Sequence, residues 1–150
     1  MANSEQSSFA DLRYLSEVIA RKNFERFALY VMPSLELSPF HRAYYQALEL
    51  FARGAIKKLI VTVPPQHGKS LGSSQLLPAY LLGLNPELKI ALASYAFTLA
   101  TKFNKRVQRV ISDAAYQNLF PDTCLKSGSR QVAAGSYLQT SEEFEIVGYG

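Results

Sequence analysis

The stretch LIVTVPPQHGKSLGSS, residues 59–74, constrains this chain more than any other part of it. Its first five residues are apolar or β-branched, bounded by Lys57 and Lys58 on one side and by Pro64 and Pro65 on the other. Such a run reads as a buried strand, covered on both faces as in a parallel sheet. A tight loop then ends in Gly68-Lys69-Ser70, ahead of residues that form helix. Strand, loop and helix in that order are the context of a phosphate-binding loop, G-x-x-x-x-G-K-[ST]. The chain departs from that pattern at its first glycine, where Val63 stands. The chemistry of the rest fits. Gly68 lets backbone approach a phosphate where a Cβ would block it. Lys69 supplies a point charge for phosphate oxygens. The Ser70 hydroxyl suits Mg²⁺. Pro64 and Pro65 donate no N–H, but they stiffen the strand exit and aim Gln66 and His67 at the site. The bland alternative is a strand–turn–helix carrying an incidental Gly-Lys-Ser.

The flanking patterns supply the rest of the architecture. Residues 7–22 and 23–33 carry apolar side chains at helical spacing, the second set ending at Pro33. In SPFHRAYYQALELFARG, Ser38 is placed as an N-cap, Pro39 as the first helical residue and Gly54 as the stop. Pro78 should kink or restart the helix that follows Lys69. LKIALASYA reads as a second buried strand, and FTLATKFNKRVQRVIS as an amphipathic helix presenting Leu99, Phe103, Val107, Val110 and Ile111. DAAYQNLFP reads as a short helix ending at Pro121. The tail alternates Phe144 and Ile146 with glutamates, as antiparallel or edge β. Helices alternating with buried strands predict an α/β fold with a parallel sheet flanked by helices.

Composition narrows the function classes. With 48% hydrophobic residues the chain is globular, and 150 residues suffice for one core. No apolar run reaches the roughly 20 residues of a membrane span, and the N-terminus lacks the apolar segment of a secretory signal. The one cysteine, Cys124, has no internal disulfide partner and no His–Asn constellation for thiol chemistry. Two histidines, His41 and His67, make no metal cluster, and His67 is read as shaping the loop. The net charge of +4 permits an anionic partner. Lys102, Lys105, Arg106 and Arg109 form a basic stripe on one helix, either a solvated face or a contact for DNA phosphates or a neighbouring subunit. Arg130 opens the tail with no partner that the sequence names.

VPPQHGKS, PAYLLGLNPELKIALASYAFTLATKFNKRVQRVI and YQNLFPDT occur in one order along the chain. Together they resemble the large terminase subunit of tailed bacteriophages, the ATPase motor and nuclease that packages phage DNA. The resemblance runs from about Pro39 to Val147. It implies a P-loop NTPase domain of the additional-strand, catalytic-glutamate type. It divides the chain into an N-terminal helical segment, residues 1–38, and a partial ATPase domain, residues 39–150. It implies ATP and Mg²⁺ as cofactors. Gln66, His67, Gly68, Lys69, Ser70 and Leu71 would form the nucleotide-binding segment, with Lys69 catalytic and Ser70 on the metal. Phe40 would stack on adenine and His41 would hydrogen-bond its edge. Gln66 stands where many relatives have an arginine, and it brings hydrogen bonds but no charge. The implied partners are double-stranded DNA, the portal protein, the small terminase subunit and further copies in a ring, in the host-cell cytoplasm.

Such an ATPase also needs an apolar strand leading into an acid that orients Mg²⁺, and a glutamate that polarises water. Glu87, Asp113, Asp122, Glu142, Glu143 and Glu145 are the acids after the loop, and none follows such a run. The resemblance therefore places that motif beyond Gly150 and a nuclease domain further on. Residues 1–150 alone are expected to bind Mg-ATP weakly and to turn it over negligibly. The rival readings are another P-loop ATPase and a non-catalytic piece that binds nucleotide or docks to a partner.

Overall fold

The computed structural model describes residues 2–125 and 140–147. The N-terminal helices follow the sequence signals closely. α1, Ala2–Lys22, starts earlier than the serines at 7 and 8 suggest, because nothing between Ala2 and Gln6 breaks a helix. Asn23 leaves helical geometry and its side chain accepts from the Arg26 N–H, so α2, Phe24–Val31, begins as a new helix. α3, Pro39–Ala52, has Ser38 as N-cap and Pro39 at its first position. It stops at Gly54, whose φ of +74° is left-handed.

The helix after the loop shows how the chain accommodates a proline. α4, Lys69–Leu71, runs into a π-helical stretch, Gly72–Leu76, and then α5, Leu77–Leu84. Pro78 has no N–H to return to the residue four before it. The wider π turn, with the Leu77 N–H reaching back to the Gly72 carbonyl, absorbs that loss without breaking the rod. α6, Phe97–Ile111, buries Val107 and Ile111 and half-buries Leu99, Phe103 and Val110. α7, Ala114–Leu119, is capped by Asp113, which accepts from the Ala115 N–H. That bond gives Asp113 a structural task.

The core is aromatic. Phe27 is fully buried, with ring centroids 5.0 Å from Tyr80, 6.1 Å from Tyr116 and 6.1 Å from Phe120. Phe24 meets Tyr45 and Tyr80 edge-on at 5.2 and 5.4 Å. Two of the buried tyrosine hydroxyls donate to carbonyls: Tyr116 to Ala79 at 2.8 Å and Tyr80 to Arg21 at 3.1 Å. Edge-to-face rings with satisfied hydroxyls are the favourable arrangement for such side chains. Outside this core, α1 turns its stripe of Leu12, Leu15 and Ile19 to solvent and buries Ala20.

The expected α/β P-loop fold with a parallel sheet is corrected by this structure. Neither predicted strand is helical, and among the described residues neither pairs. Among the described residues the only bridge position is Phe144, and no backbone hydrogen bond ties 57–64 or 89–95 to another segment. A β-branched run sets extended φ and ψ, whereas a strand needs a neighbour about 4.8 Å away to exchange ladder bonds. The expectation of burial on both faces also fails. Leu59, Val61 and Val63 are half-buried while Ile60 and Thr62 are exposed, Ile60 at 91%. These segments lie along the helical core by one face only. The tail resolves in part: Phe144 and Ile146 turn inward and Glu142 and Glu143 outward. Arg130 lies outside the described residues.

Candidate functional site

The loop 64–68 is held by local bonds and by α3. His67 Nδ1 lies 2.8 Å from the Pro65 carbonyl. Gln66 adopts φ +64° and Gly68 φ +69°. Gly68 occupies the left-handed region at little cost, while a side chain with a Cβ, such as that of Gln66, pays for it. The two positive φ values turn the chain sharply out of the extended segment and into α4.

The N-terminus of α3 meets this loop. A Cβ placed on Gly68 would lie 3.2 Å from His41 Nε2, so the imidazole rests against the glycine. Phe40 stacks on Tyr44 at 6.2 Å and meets His41 at 5.4 Å and His67 at 6.4 Å, both edge-on. Phe40 and His41 are thus brought to Gly68 and His67 across more than twenty residues of chain. Lys69 is exposed, and among the described residues it makes no ion pair. Ser70 and Leu71 are half-buried in the first turn that follows.

Three supporting residues were missed by the sequence reading. The Tyr44 hydroxyl donates to the Lys69 carbonyl at 2.8 Å, and the Ser73 hydroxyl donates to the same oxygen at 3.0 Å. Gly72 permits this contact, because a Cβ there would come within 2.7 Å of Tyr44. Tyr44 was findable, since it follows Phe40 by one helical turn and must share its face. Burial raises the Tyr44 hydroxyl above its ordinary pKa, so it stays a donor at neutral pH. Ser38 was read as a cap, but its reciprocal bond with His41 was not anticipated. A capping box ordinarily uses Glu or Gln at that third position.

The basic stripe lies beside the loop helix and not on a remote face. Lys102, Lys105 and Arg109 are exposed and Arg106 is half-buried. Arg106 and Arg109 line a shallow cleft of about 400 Å³ with Leu71, Gln75, Val31 and Asp113. Among the described residues none of the four cations is in an ion pair. Asp113 caps α7, whereas the glutamates that follow the loop lie elsewhere. Glu87, Glu142, Glu143 and Glu145 border a separate groove of about 620 Å³ between the 88–92 segment and α6.

These residues fit a phosphate group better than they define a metal site. Gly68, the exposed Lys69 and the first-turn amides suit an anion, and Ser70 offers a single oxygen ligand for a cation. Among the described residues there is no group of three metal-ligating side chains. No helix of the described residues is long and apolar enough to cross a membrane. No protein-family model matches the chain, and no curated protein or solved structure matches it at a significant level.

Proposed function

We propose that residues 66–71 bind the phosphates of ATP, and that this chain supplies the nucleotide-binding part of an ATP-driven DNA-packaging motor of the large-terminase type. The observation that carries the reading is the convergence of Phe40 and His41 on Gly68, from a separate helix. The motif resemblance marks both segments independently, and the fold places them side by side. The reading rests on this loop and on α3. Lys69 meets the β- and γ-phosphates, Ser70 takes Mg²⁺, and Gln66 contributes hydrogen bonds without charge. Phe40 offers an exposed ring for a base.

Double-stranded DNA, the portal protein, the small terminase subunit and further copies in a ring are the partners that go with this reading. Lys102, Lys105, Arg106 and Arg109 are its candidate contacts for DNA phosphates or an adjacent subunit. Among the described residues they form no ion pairs, which leaves the charge available, and replacing Lys105 and Arg106 by glutamate should flatten the salt dependence of DNA binding.

Titration of a fluorescent ATP analogue with Mg²⁺ tests the central step. Lys69→Ala should weaken binding by roughly 10- to 100-fold, the worth of a charge-assisted hydrogen bond of about 1.5–3 kcal/mol. Equal binding by both proteins would favour a docking piece without a nucleotide site. Turnover by residues 1–150 should be negligible, because no acid of the described residues is built into the loop.

A further inference from the structure

We propose that His41 holds its Nε2–H as a fixed hydrogen-bond donor for an oxyanion at the loop, set in that tautomer by the capping box of α3. The inference rests on the phosphate reading of residues 66–71. It changes the part assigned to His41, from the edge of a base to the phosphate end of the ligand.

The tautomer follows from the cap. The Ser38 backbone N–H lies 3.2 Å from His41 Nδ1, and a backbone N–H can only donate. Nδ1 is therefore the acceptor. A neutral imidazole has one acceptor nitrogen and one donor, so the proton resides on Nε2. The Ser38 hydroxyl is consistent with this. Its oxygen lies 2.9 Å from the same Nδ1 and also accepts from the His41 N–H at 3.5 Å, so its own proton is free to turn toward the ring. A proton on Nδ1 would instead set two N–H groups against each other.

Nε2 is placed for use. It sits 3.2 Å from where a Cβ on Gly68 would be, where the N-terminus of α3 meets the loop. Among the described residues it has no hydrogen-bond partner of its own. Phe40 packs edge-on against the ring, and the cap fixes the opposite side, so the imidazole has little freedom to turn away. Lys69, the next residue after Gly68, brings only donors. A ligand atom meeting both must be an acceptor, and beside Gly68 and the Lys69 cation an oxygen of a phosphate or polyphosphate fits that demand better than a neutral ring nitrogen. The residue type at this position thus combines two tasks. Glutamate would serve the cap but has no N–H, and glutamine would carry its N–H donors on a longer side chain with a freely turning amide, whereas the imidazole caps with one nitrogen and holds the other N–H fixed.

Long-range ¹H–¹⁵N NMR of the imidazoles, with binding of inorganic tripolyphosphate and of Mg-ATP, tests this. At mildly alkaline pH His41 should show the Nε2–H pattern, and tripolyphosphate should shift Nε2 and leave Nδ1 nearly still. His41→Gln keeps a capping-box residue and is neutral. It should leave the unfolding midpoint unchanged and weaken tripolyphosphate and ATP by the same factor, about tenfold or more. An Nδ1–H pattern would overturn the proposal. So would a loss for ATP alone, which would return His41 to the base edge. If Lys69→Ala weakens ATP while His41→Gln changes nothing, the inference fails and the nucleotide site stands. If the wild type binds neither ligand, the nucleotide reading fails and the inference falls with it.

Discussion

Two regions flank the helix that follows the loop, and they differ in what holds them. On one side α1, α2, α3 and α7 pack aromatic rings and buried aliphatics with every buried side-chain polar atom bonded. On the other, residues 58–64 and 88–94 form neither helix nor strand among the described residues, and large side chains there or at their ends stand in water, Tyr95 at 97% and Ile60 at 91% exposed. Both regions carry apolar runs in sequence. Burial separates them, because hydrophobic stabilisation scales with area removed from water and not with residue type. The loop lies on the boundary. Its helix side is anchored by Tyr44, Ser73 and Gly72, and its strand side only by one face of Leu59, Val61 and Val63.

The sharpest way to break this comparison is a pair of truncations. Phe27→Ala removes a fully buried ring touching Phe24, Tyr80, Tyr116 and Phe120, and should cost about 3–5 kcal/mol. Against a total stability of roughly 5–15 kcal/mol, that leaves the fold barely standing. Ile60→Ala deletes an equally apolar side chain and should stay within about 0.5 kcal/mol. Urea denaturation followed by far-UV circular dichroism reads both. Equal losses would mean that Ile60 is covered in solution and that the two regions are not different in kind.

Alkaline pH should act on the aromatic side alone. Burial pushes the hydroxyls of Tyr45 and Tyr80 up to about 12 from an ordinary 10.0, and Tyr116 higher still. A folded-state pKa above the unfolded one means that the unfolded chain releases protons first. The stabilisation is therefore complete below pH 10 and is lost as pH rises from 10 through about 12. Urea midpoints across that window should fall steadily, and the ring NMR signals of Tyr45, Tyr80 and Tyr116 should show ionisation only on unfolding. Ionisation of those three rings in the folded protein near pH 10 would contradict their burial.

Much of the helical half was legible in the sequence. Ser38, Pro39, Gly54 and the apolar face of α6 are local signals with local causes, and the structure follows them. The unpaired half was legible only as apolar chain outside the helices. Val61 and Ile90 announce an extended backbone, yet pairing depends on a neighbour that a local pattern does not contain. The same limit applies to α1, where Leu12, Leu15 and Ile19 have helical spacing but face solvent. Of the site, Gly68 and Lys69 were readable as a motif. The tyrosine bond to the Lys69 carbonyl was not, because it joins residues 25 apart and only packing brings them together.

A third test probes the seam between the two regions. Gly72 has ordinary helical φ, so alanine is conformationally acceptable there, but its Cβ would meet Tyr44 at 2.7 Å, Tyr45 at 3.1 Å and Leu48 at 3.2 Å. The conflict lies with buried side chains of α3, which have little room to move. Gly72→Ala should cost about 1–3 kcal/mol by overpacking and should loosen the Tyr44–Lys69 bond. Amide hydrogen exchange at residues 69–72 should quicken relative to α7. Unchanged exchange would show that α3 does not anchor the loop.

The smallest effect is expected on the strand side of the loop. Gln66 holds φ +64° with a Cβ, a strain worth roughly 1–2 kcal/mol. Gln66→Gly removes that strain but returns about 0.5–1 kcal/mol in unfolded-chain entropy. The net should be a stabilisation of only about 0.5 kcal/mol, a slight rise in the urea midpoint. Nucleotide affinity separates two roles for the residue. If the turn alone matters, glycine should bind as tightly as wild type, since Gly68 and Lys69 keep their places. A weaker affinity at unchanged stability would mean that the Gln66 amide itself reaches the phosphate, and that its strained backbone exists to aim it.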